Sequence, residues 1–441
     1  MNDKNTKVSI IGLGYVGLPI ALALVKNKDY QVIGYDIDEK KLGILRGGKN
    51  PLKDETTAFL DQYIPGVTYI GPYDLEKLAS SNIFIIAVPN PVSDDYIPDY
   101  SHVISACNTI GPFIKKGSYV VLETTLNPGT CEEIVIPELE RSSGLEVGID
   151  FEVSYCPERI NPGDAAWNVL NIPRSVGSYT KEGTKFIADF YRSFLDAPIY
   201  EVNSLKVAEA TKIVENTFRD VNIALVNELA ISFDKMGIDV LEVIEGLKEL
   251  QKASDKPPSF LAHYPGCGVG GHCIPVDPYF LIKGAENKGF NHKLLKVARK
   301  INNNMPQYTV NLLKNELNET KLKGKGKKEV KVGILGLSYK ENVGDIRESP
   351  AIAIYKLLTK DYQVKFFDSY IDNFKDFVSA NSLEALILWS DALILTTKHD
   401  EFKEIPKMIS EHKNVRIFID GRNTFNKGEF PEDIRYKGIG R

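Results

Sequence analysis

The stretch that decides the fold is residues 7–36, KVSIIGLGYVGLPIALALVKNKDYQVIGYD. It reads as a strand (KVSIIGL), a glycine turn, an apolar helix (LPIALALVKN) and a second strand (YQVIGYD), which together make one β-α-β unit. Further apolar strands follow at residues 83–88, 118–124 and 151–156, separated by segments of helix length. This alternation predicts an α/β protein with a parallel, doubly wound sheet.

The glycine turn has the spacing G-x-G-x-x-G, formed by Gly12, Gly14 and Gly17, and Asp36 ends the next strand. The glycines allow a tight turn and close approach to a phosphate, while the N-terminus of the following helix offers free N–H groups. Asp36 can accept a hydrogen bond from a ribose 2′-hydroxyl and would repel a 2′-phosphate, which favours NAD over NADP. A glycine turn that serves packing alone is the alternative.

Further along, the chain repeats this pattern. A long helical tract from Ser204 to about Gly246 is expected to be the spine between two domains, and the Lys/Gly-rich run at 321–329 is typical of a linker. After it, VKVGILGLSYK matches the first strand and turn, and KDYQVKFFD (360–368) matches KDYQVIGYD (28–36). We therefore expect two Rossmann-like doubly wound domains joined by a long central helix.

The second copy differs from the first in its turn, because Ser338 and Glu341 stand where Gly14 and Gly17 stood. Close backbone approach to a pyrophosphate is harder without those glycines. The second domain is therefore expected to bind a different ligand.

Composition excludes several classes of protein. The 441 residues carry a net charge of −5 with both signs mixed along the chain, so no basic surface for nucleic acid is expected. Five cysteines without a C-x-x-C pair fit a reducing, cytoplasmic location. The apolar run from Ser9 to Val25 could pass for a signal peptide, but its glycines and Pro19 favour a buried strand and helix. No membrane span is expected.

The segment 266–277, GCGVGGHCIPVD, allows three interpretations. Zinc is disfavoured because the spacing of His263, Cys267, His272 and Cys273 fits no common zinc pattern, so no metal is expected. A buried structural cysteine is the second possibility. The third is a thiol at Cys273 exposed by the surrounding glycines, which beside a dinucleotide site suggests aldehyde oxidation through a thiohemiacetal.

Six motifs in order resemble the UDP-glucose/GDP-mannose dehydrogenase family nearly from end to end. They are GLGYVG, ETTLNPGT (123–130), CPERINPG (156–163), AEATKIVENTF (208–218), the cysteine segment and GLSYKENVGDIRESP (336–350). The resemblance implies oxidation of C6 of a nucleotide sugar from alcohol to carboxylate with two NAD, for surface polysaccharide or glycan biosynthesis. It also implies three regions: an NAD-binding domain (1–202), a central helical region with dimerisation and catalytic-loop functions (203–317) and a UDP-sugar-binding domain (318–441).

The resemblance also implies the catalytic residues. Cys273 matches the nucleophile that holds the sugar as a thiohemiacetal and then as a thioester. Lys212 and Asn216 match a helix pair at the reacting oxygen, and their i, i+4 spacing puts them on one helical face. Glu158 matches the carboxylate that assists water in thioester hydrolysis, although a salt bridge to Arg159 would be the simpler interpretation without the family. The other two matches are Asp277 and Thr125.

Binding residues follow from the same match. Those expected at the cofactor are Gly12, Gly14, Tyr15, Val16, Gly17, Asp36, Pro89, Thr125 and Arg347. Those expected at the substrate are Glu158, Arg159, Lys212, Asn216, Gly270, Lys340 and Arg422. The cations suit a diphosphate, which would explain the altered second glycine turn. The family commonly dimerises through the central helix, so a homodimer or higher homo-oligomer is expected.

Two departures bear on the sugar. UDP-glucose dehydrogenases usually have a lysine where this chain has Val276, and an arginine before the cysteine segment, whereas no arginine occurs between Arg219 and Arg299. HCIPVDPYF and PERINPG resemble instead the branch that acts on UDP-N-acetylhexosamines, which favours UDP-N-acetyl-D-mannosamine or an epimer. The alternatives are a UDP-glucose 6-dehydrogenase, a single-step hydroxyacid-type dehydrogenase and a non-catalytic nucleotide-sugar-binding protein.

Overall fold

The computed structural model describes residues 6–27, 30–52, 55–93, 95–159, 168–253, 262–320, 326–371 and 373–441. The chain divides into two compact units. The first contains Met1–Glu215 and Tyr279–Phe290, and the second contains Asn216–Pro278 and Asn291–Arg441. The predicted regions 1–202, 203–317 and 318–441 divide the chain by function and not by compactness, so they stay a prediction.

The first unit is built on an eight-stranded sheet with strand order β3-β2-β1-β4-β5-β6-β7-β8. Its strands are β1 (Lys7–Ile11), β2 (Gln31–Tyr35), β3 (Val67–Ile70), β4 (Ile83–Ile86), β5 (Ser118–Leu122), β6 (Phe151–Tyr155), β7 (Arg174–Ser178) and β8 (Ile199–Glu201). All neighbouring strands pair in parallel except β6 and β7, which are antiparallel. The predicted parallel sheet is thus correct through β6 and wrong for the β6–β7 pairing.

Helices cover both faces of this sheet because successive strand residues point to opposite sides. Ile10 packs in one buried cluster with helix α1, whereas Ile11 packs in a second cluster. The helices of this unit are α1 (Gly17–Lys26), α2 (Glu39–Arg46), α3 (Ser101–Ile110), α4 (Ile136–Ser143) and α5 (Lys181–Arg192). A doubly wound sheet is therefore present, as predicted.

A long helix, α6 (Leu205–Met236), begins in the first unit and continues in the second. The long central helix is confirmed, and the helical tract predicted to about Gly246 is interrupted once, because α6 ends before Gly237, whose φ of +70° is left-handed. A new helix, α7 (Val240–Lys252), starts after Asp239, whose side chain accepts the N–H of Leu241. Helix α8 (Asp277–Asn287) begins four residues after Cys273.

The second unit is built on a five-stranded, fully parallel sheet with strand order β10-β9-β11-β12-β13. The strands are β9 (Lys331–Leu335), β10 (Gln363–Phe367), β11 (Ala392–Leu395), β12 (Ile417–Asp420) and β13 (Arg435–Gly438). Its further helices are α9 (Lys293–Asn318), α10 (Pro350–Leu358), α11 (Leu383–Trp389) and α12 (Ile405–His412). The repeat predicted from sequence is confirmed, since β9 and β10 are the second copies of β1 and β2. Most of the predicted linker, residues 321–325, lies outside the described residues.

Candidate active site

The turn after β1 leaves room for a phosphate. Gly12 has a φ of +96°, and a Cβ on Gly17 would lie 1.9 Å from the carbonyl oxygen of Gly12, so this close turn requires glycine at both positions. A Cβ on Gly14 would have nothing within 4 Å. Helix α1 starts at Gly17, and no side chain caps it at Val16. The exposed Tyr15 flanks a turn whose N–H groups are available to an anion.

Asp36 is held in place at the end of β2. Its Oδ2 accepts the N–H of Leu13 at 2.9 Å, and its Oδ1 accepts the N–H of Asp38 at 2.9 Å. Lys41, on α2, donates to Oδ2 at 2.7 Å. The glycine turn and the acidic residue predicted to bind NAD are therefore joined directly, and the open space at Gly14 fits a dinucleotide. Lys41 was missed because only the helix register brings it to the carboxylate.

Two loops leave the carboxyl ends of the neighbouring strands β4 and β5. Pro89 is exposed on the first, and Asn90 beside it donates from Nδ2 to the carbonyl oxygen of Thr125 at 2.7 Å on the second. In a doubly wound sheet, ligands bind at this edge. The structure thus places the predicted Pro89 and Thr125 on loops that are bonded to each other.

A residue that sequence reasoning missed, Glu209 on α6, fixes the loop that carries Thr125. Its fully buried carboxyl group accepts the N–H of Gly129 at 2.6 Å and that of Cys131 at 2.8 Å. Burial, opposed by these bonds, raises the pKa of Glu209 to about 7. The available signal was an acidic residue three positions before Lys212, on the same helical face.

Glu158 is close to buried charged groups of the first unit. Its residue is partly exposed, but Oε1 is out of solvent and has no hydrogen-bond partner among the residues that the structure describes. Burial raises the pKa of Glu158 to about 7, while the charges of Lys212 and Arg174 oppose that rise. Arg174 and Glu123 form a fully buried ion pair at 2.8 Å. The carboxyl group is thus poised to titrate near neutral pH.

Arg159 does not pair with Glu158. Its guanidinium forms an ion pair with Glu215 on α6 and also donates to the carbonyl oxygen of Pro173 at 3.3 Å. The simple salt bridge that sequence alone favoured is therefore wrong. The following residues of the CPERINPG motif, 160–163, lie outside the described part of the chain.

The cysteine segment of the second unit exposes one thiol. Cys273 is partly exposed, whereas the other four cysteines are buried. The N–H of Gly271 donates to the carbonyl oxygen of Arg347 at 2.9 Å, and a Cβ on Gly270 would lie 2.4 Å from the Cβ of Tyr339. The glycines thus let the segment pack closely on the turn after β9, as their number in the sequence suggested.

Tyr339 and Arg347, in the segment that follows β9, are close enough to Cys273 for charge interactions. Burial raises the pKa of Tyr339 to about 12, and the neighbouring Asp345 and Cys273 contribute to the rise. Nε of Arg347 donates to both carboxylate oxygens of Asp345 at 3.0 Å. The charge of a Cys273 thiolate also contributes to the raised pKa of Arg347. A thiolate near a guanidinium is stabilised, which suits a nucleophile.

The remaining predicted residues fall in buried or half-buried positions. Asn216 donates from Nδ2 to Oδ2 of Asp277 at 2.6 Å, and both side chains are buried. Lys212, one helical turn before Asn216, is 8% exposed. On the second sheet, Lys340 is half-buried in the turn after β9. Arg422 donates from Nε to the carbonyl oxygen of Thr396 at 2.8 Å and from Nη2 to that of Tyr339 at 3.0 Å.

The predicted site residues therefore form two groups, one in each unit. The first group contains Gly12, Gly14, Tyr15, Val16, Gly17, Asp36, Pro89, Thr125, Glu158, Arg159 and Lys212, and the second contains Asn216, Gly270, Cys273, Asp277, Lys340, Arg347 and Arg422. Across the described ranges, no cluster of three or more His, Cys, Asp or Glu side chains has the arrangement of a metal site. Nor do those ranges hold a helix long and apolar enough to cross a membrane.

The first unit has a glycine turn joined to an acidic residue at a strand end, and the second unit has an accessible thiol and cations beside a similar sheet. Together these features are typical of a dinucleotide-dependent dehydrogenase. Comparison with known families agrees. Residues 6–195 match the NAD-binding domain of the UDP-glucose/GDP-mannose dehydrogenase family, residues 206–304 its central domain and residues 333–427 its UDP-binding domain. The chain belongs to this family.

Relatives align over almost the whole chain. A UDP-N-acetyl-D-mannosamine dehydrogenase of Pyrococcus horikoshii is 34% identical over 99% of both chains. A UDP-N-acetyl-D-glucosamine 6-dehydrogenase of Pseudomonas aeruginosa is 35% identical over 91% of this chain and 92% of its own. The solved structure of the UDP-D-ManNAc dehydrogenase from Pyrococcus horikoshii superposes with a TM-score of 0.88 at 33% identity, covering 99% of each chain. The chain is therefore an NAD-dependent UDP-sugar dehydrogenase, as its motifs predicted.

Proposed function

We propose that this enzyme oxidises C6 of UDP-N-acetyl-D-mannosamine, or of another UDP-N-acetylhexosamine, to the carboxylate in two NAD-dependent steps. The observation that carries the two-step route is the single accessible thiol, Cys273, on a glycine segment packed against Arg347 and Tyr339. The choice of sugar is supported by the names of relatives that are 34% and 35% identical, and by Val276 and the missing arginine.

In the first oxidation, C6 gives up a hydride and its hydroxyl proton passes to water, which leaves an aldehyde. NAD held by the glycine turn and Asp36 would supply hydride acceptance, with one NAD consumed in each of the two oxidations. Lys212 stabilises the negative charge that develops on the oxygen, since a buried ammonium is effective at that task. Asn216 orients the same oxygen, and its own amide is fixed by the bond to Asp277.

The thiol then carries the sugar through the second oxidation. The sulfur of Cys273 adds to the aldehyde carbon and the thiol proton moves to the aldehyde oxygen, giving a thiohemiacetal. Hydride loss from the carbon, with a second NAD consumed, and loss of the hydroxyl proton to water give a thioester. Glu158 takes a proton from water, the water oxygen attacks the carbonyl carbon, and the C–S bond breaks to release the acid and the thiolate. Thr125 contributes a hydroxyl to the same water.

Nucleotide binding uses the remaining predicted residues. Tyr15, Val16 and Pro89 border the cofactor together with the glycine turn and Asp36, and Arg347 is a further cofactor-binding residue that the family resemblance implies. Lys340, Arg422 and Arg159 provide positive charge for the UDP-sugar, and Gly270 allows its close approach. Two of the three guanidinium nitrogens of Arg422 donate to the main-chain carbonyls of Thr396 and Tyr339. Arg422 therefore also influences substrate binding by holding the turn that contains Tyr339.

The assembly is a homodimer that forms through α6, and the enzyme works in the cytoplasm. Four large apolar residues on α6 are about half exposed at spacings of seven, four and seven: Val207, Val214, Phe218 and Leu225. Such a stripe suits a helix from a second copy. All five cysteines are free, which suits a reducing compartment.

A screen of UDP-sugars against NADH formation tests reaction and substrate together. We expect two NADH for each sugar consumed, with fastest turnover on one of the N-acetylated hexosamines. One NADH for each sugar would favour a single-step dehydrogenase, and none would favour a binding protein. Much faster turnover of UDP-glucose than of all three N-acetylated sugars would overturn the proposed substrate.

A further inference from the structure

Each of the two sheets contains the same kind of hydrogen bond. It joins the turn after the first strand of the β-α-β unit to the acidic residue that follows the second strand. In the first unit, the N–H of Leu13 donates to Oδ2 of Asp36 at 2.9 Å. In the second unit, Asp368 directly follows β10, and its Oδ2 accepts the N–H of Leu337 at 2.7 Å and that of Ser338 at 2.8 Å. Asp368 is thus the structural counterpart of the residue predicted to bind the ribose of NAD.

The carboxylate of Asp368 is bonded to buried groups of its own unit. Oδ2 of Asp368 also accepts a hydrogen bond from Oγ of Ser338 at 2.7 Å and lies 3.1 Å from Nε2 of His399, and the side chains of Asp368 and His399 are fully buried. In the first unit, the additional partner of Asp36 is the partly exposed Lys41. Asp368 therefore holds the chain instead of offering a carboxylate to a ligand.

His399 joins Asp368, the residue that follows β10, to Asn342 in the turn after β9. Its Nδ1 accepts the N–H of Asn342 at 2.8 Å, which leaves the proton on Nε2 to be donated to Asp368. Asn342 has a φ of 57°, in the left-handed region, and its side chain is bonded to Asp400. A main-chain conformation of that kind needs support from its surroundings.

The location of this bridge is significant. His399 follows β11, and the turn that it holds follows β9, its neighbour in the order β10-β9-β11. The strand order reverses between β9 and β11, and ligands of doubly wound sheets bind at the carboxyl ends of strands at such a reversal. Thr397 adds a second link between the same loops, from its hydroxyl to the carbonyl oxygen of Ser338.

We propose that His399 is a positioning residue for UDP-sugar binding: by bridging Asp368 and the N–H of Asn342, it fixes the turn 336–342 that presents Lys340 to the substrate. This inference rests on the proposed role of Lys340. His399 itself is buried beneath the turn and acts through the main chain, so its effect falls on substrate affinity and leaves the cofactor site of the first unit unchanged.

Two substitutions of His399 test its hydrogen bonds to Asn342 and to Asp368 separately. In His399→Asn, the amide oxygen takes the place of Nδ1 and can still accept the N–H of Asn342, while Oδ2 of Asp368 keeps three other donors. In His399→Gln, the amide nitrogen takes the place of Nε2, and the N–H of Asn342 loses its acceptor. We expect KM for the UDP-sugar to rise about fivefold to tenfold in the Gln variant, the effect of one lost hydrogen bond. The Asn variant should restore most of the affinity.

Controls distinguish positioning from general destabilisation. KM for NAD should stay within about twofold of the parent in both variants, and His412→Gln, which alters a more exposed histidine on α12, should change neither KM. Equal KM values for the sugar in the Gln variant and the parent, or equal losses in the Asn and Gln variants, would overturn the inference.

Two further measurements keep the test decisive. Lys340→Met should raise KM for the UDP-sugar, and no change there would refute the proposed role of Lys340 while leaving the bridge itself untouched. In the unmodified enzyme, hydrogen exchange followed by mass spectrometry should show a protected amide in the peptide that contains Asn342. Complete exchange of that peptide within seconds would show that His399 does not hold the turn, whatever the folding of the variants.

Discussion

At the scale of single residues, Cys273 differs from the other four cysteines in its exposure. Burial raises the pKa of Cys107 and of Cys156 to about 12, and the pKa of Cys267 is also raised by burial. Cys273 is partly exposed and lies near the guanidinium of Arg347. Reactivity of a thiol depends on access and on a stabilised thiolate, so only this position combines both.

Cys273→Ser should bind NAD and the UDP-sugar but lose two-step turnover, since oxygen is a weaker nucleophile toward the aldehyde and forms an ester that hydrolyses slowly. NADH formation and product analysis would measure this loss. Cys267→Ser, a change at a buried thiol on the same segment, is the matched control and should keep the stoichiometry of two NADH for each sugar. A full rate with two NADH in Cys273→Ser would show that the thiol is structural.

Glu158 gives the reaction a predicted pH dependence. Its pKa is raised to about 7 by burial, and the charged groups that act on it are Lys212, Arg174 and Glu123. Water activation requires the carboxylate, which forms as the pH rises through that value. The hydrolytic phase after the first burst of NADH should therefore accelerate from pH 6 to pH 8 and level off above it.

Glu158→Gln should remove this dependence and slow acid release about a hundredfold, the low end for loss of a general base. A burst of NADH would remain, with a sugar adduct on Cys273 detectable by mass spectrometry of the denatured protein. Glu138→Gln on α4, where the side chain pairs with Arg141, is a suitable control. An unchanged pH profile in Glu158→Gln would assign the titrating group to another residue.

At the scale of elements, helix α6 links catalytic groups to the loop after β5. Glu209 accepts two main-chain N–H groups at the start of the segment that leads into α4, and Lys212 follows one turn later. Replacing Glu209 by Ala leaves both donors buried and unpaired, at a cost of roughly 1–3 kcal/mol each. A clear loss of thermal stability is expected, whereas Glu132→Ala, which breaks an exposed pair with Lys206, should have little effect.

The pH dependence of that loss has a definite sign. The pKa of Glu209 in the folded protein, about 7, lies above its ordinary value of 4.5, so the folded state binds this proton more tightly than the unfolded state. The stabilisation is complete below pH 4.5 and is lost as the pH rises through 7. Glu209→Gln should therefore be most destabilising at low pH and approach the parent at pH 8.5. A constant difference in Tm across this range would contradict the assignment.

Sequence predicted the elements whose signals are local. The glycine turn, Asp36 and the repeat at 360–368 follow from residues that lie close together in the chain, and the spacing of Lys212 and Asn216 reports one helical face. The ion pair of Arg174 with Glu123 joins strands that are 51 positions apart, and Glu209 reaches its partners 78 and 80 positions away. Such contacts depend on tertiary burial, which charge and periodicity do not reveal.

At the scale of the whole molecule, the exposed stripe on α6 leads to a prediction about assembly. Phe218 is 54% exposed near the middle of the helix, where a second copy would bury it. Phe218→Asp should convert a dimer into a 49.2 kDa monomer in light scattering, since a buried unpaired charge opposes association. Tyr73→Asp, at a residue that is 91% exposed elsewhere on the first unit, should leave the mass unchanged. A monomeric parent enzyme would refute the proposed interface.

The contrast between one accessible thiol and four buried ones has a practical consequence for the purified enzyme. A thiol-alkylating reagent should modify one cysteine per chain at neutral pH and leave the other four intact until the protein unfolds. The amount of reagent consumed then measures how many molecules in a preparation have a reactive Cys273. A fluorescent label introduced by the same reaction would mark Cys273 without any engineered cysteine, and bound UDP-sugar should shield it from modification.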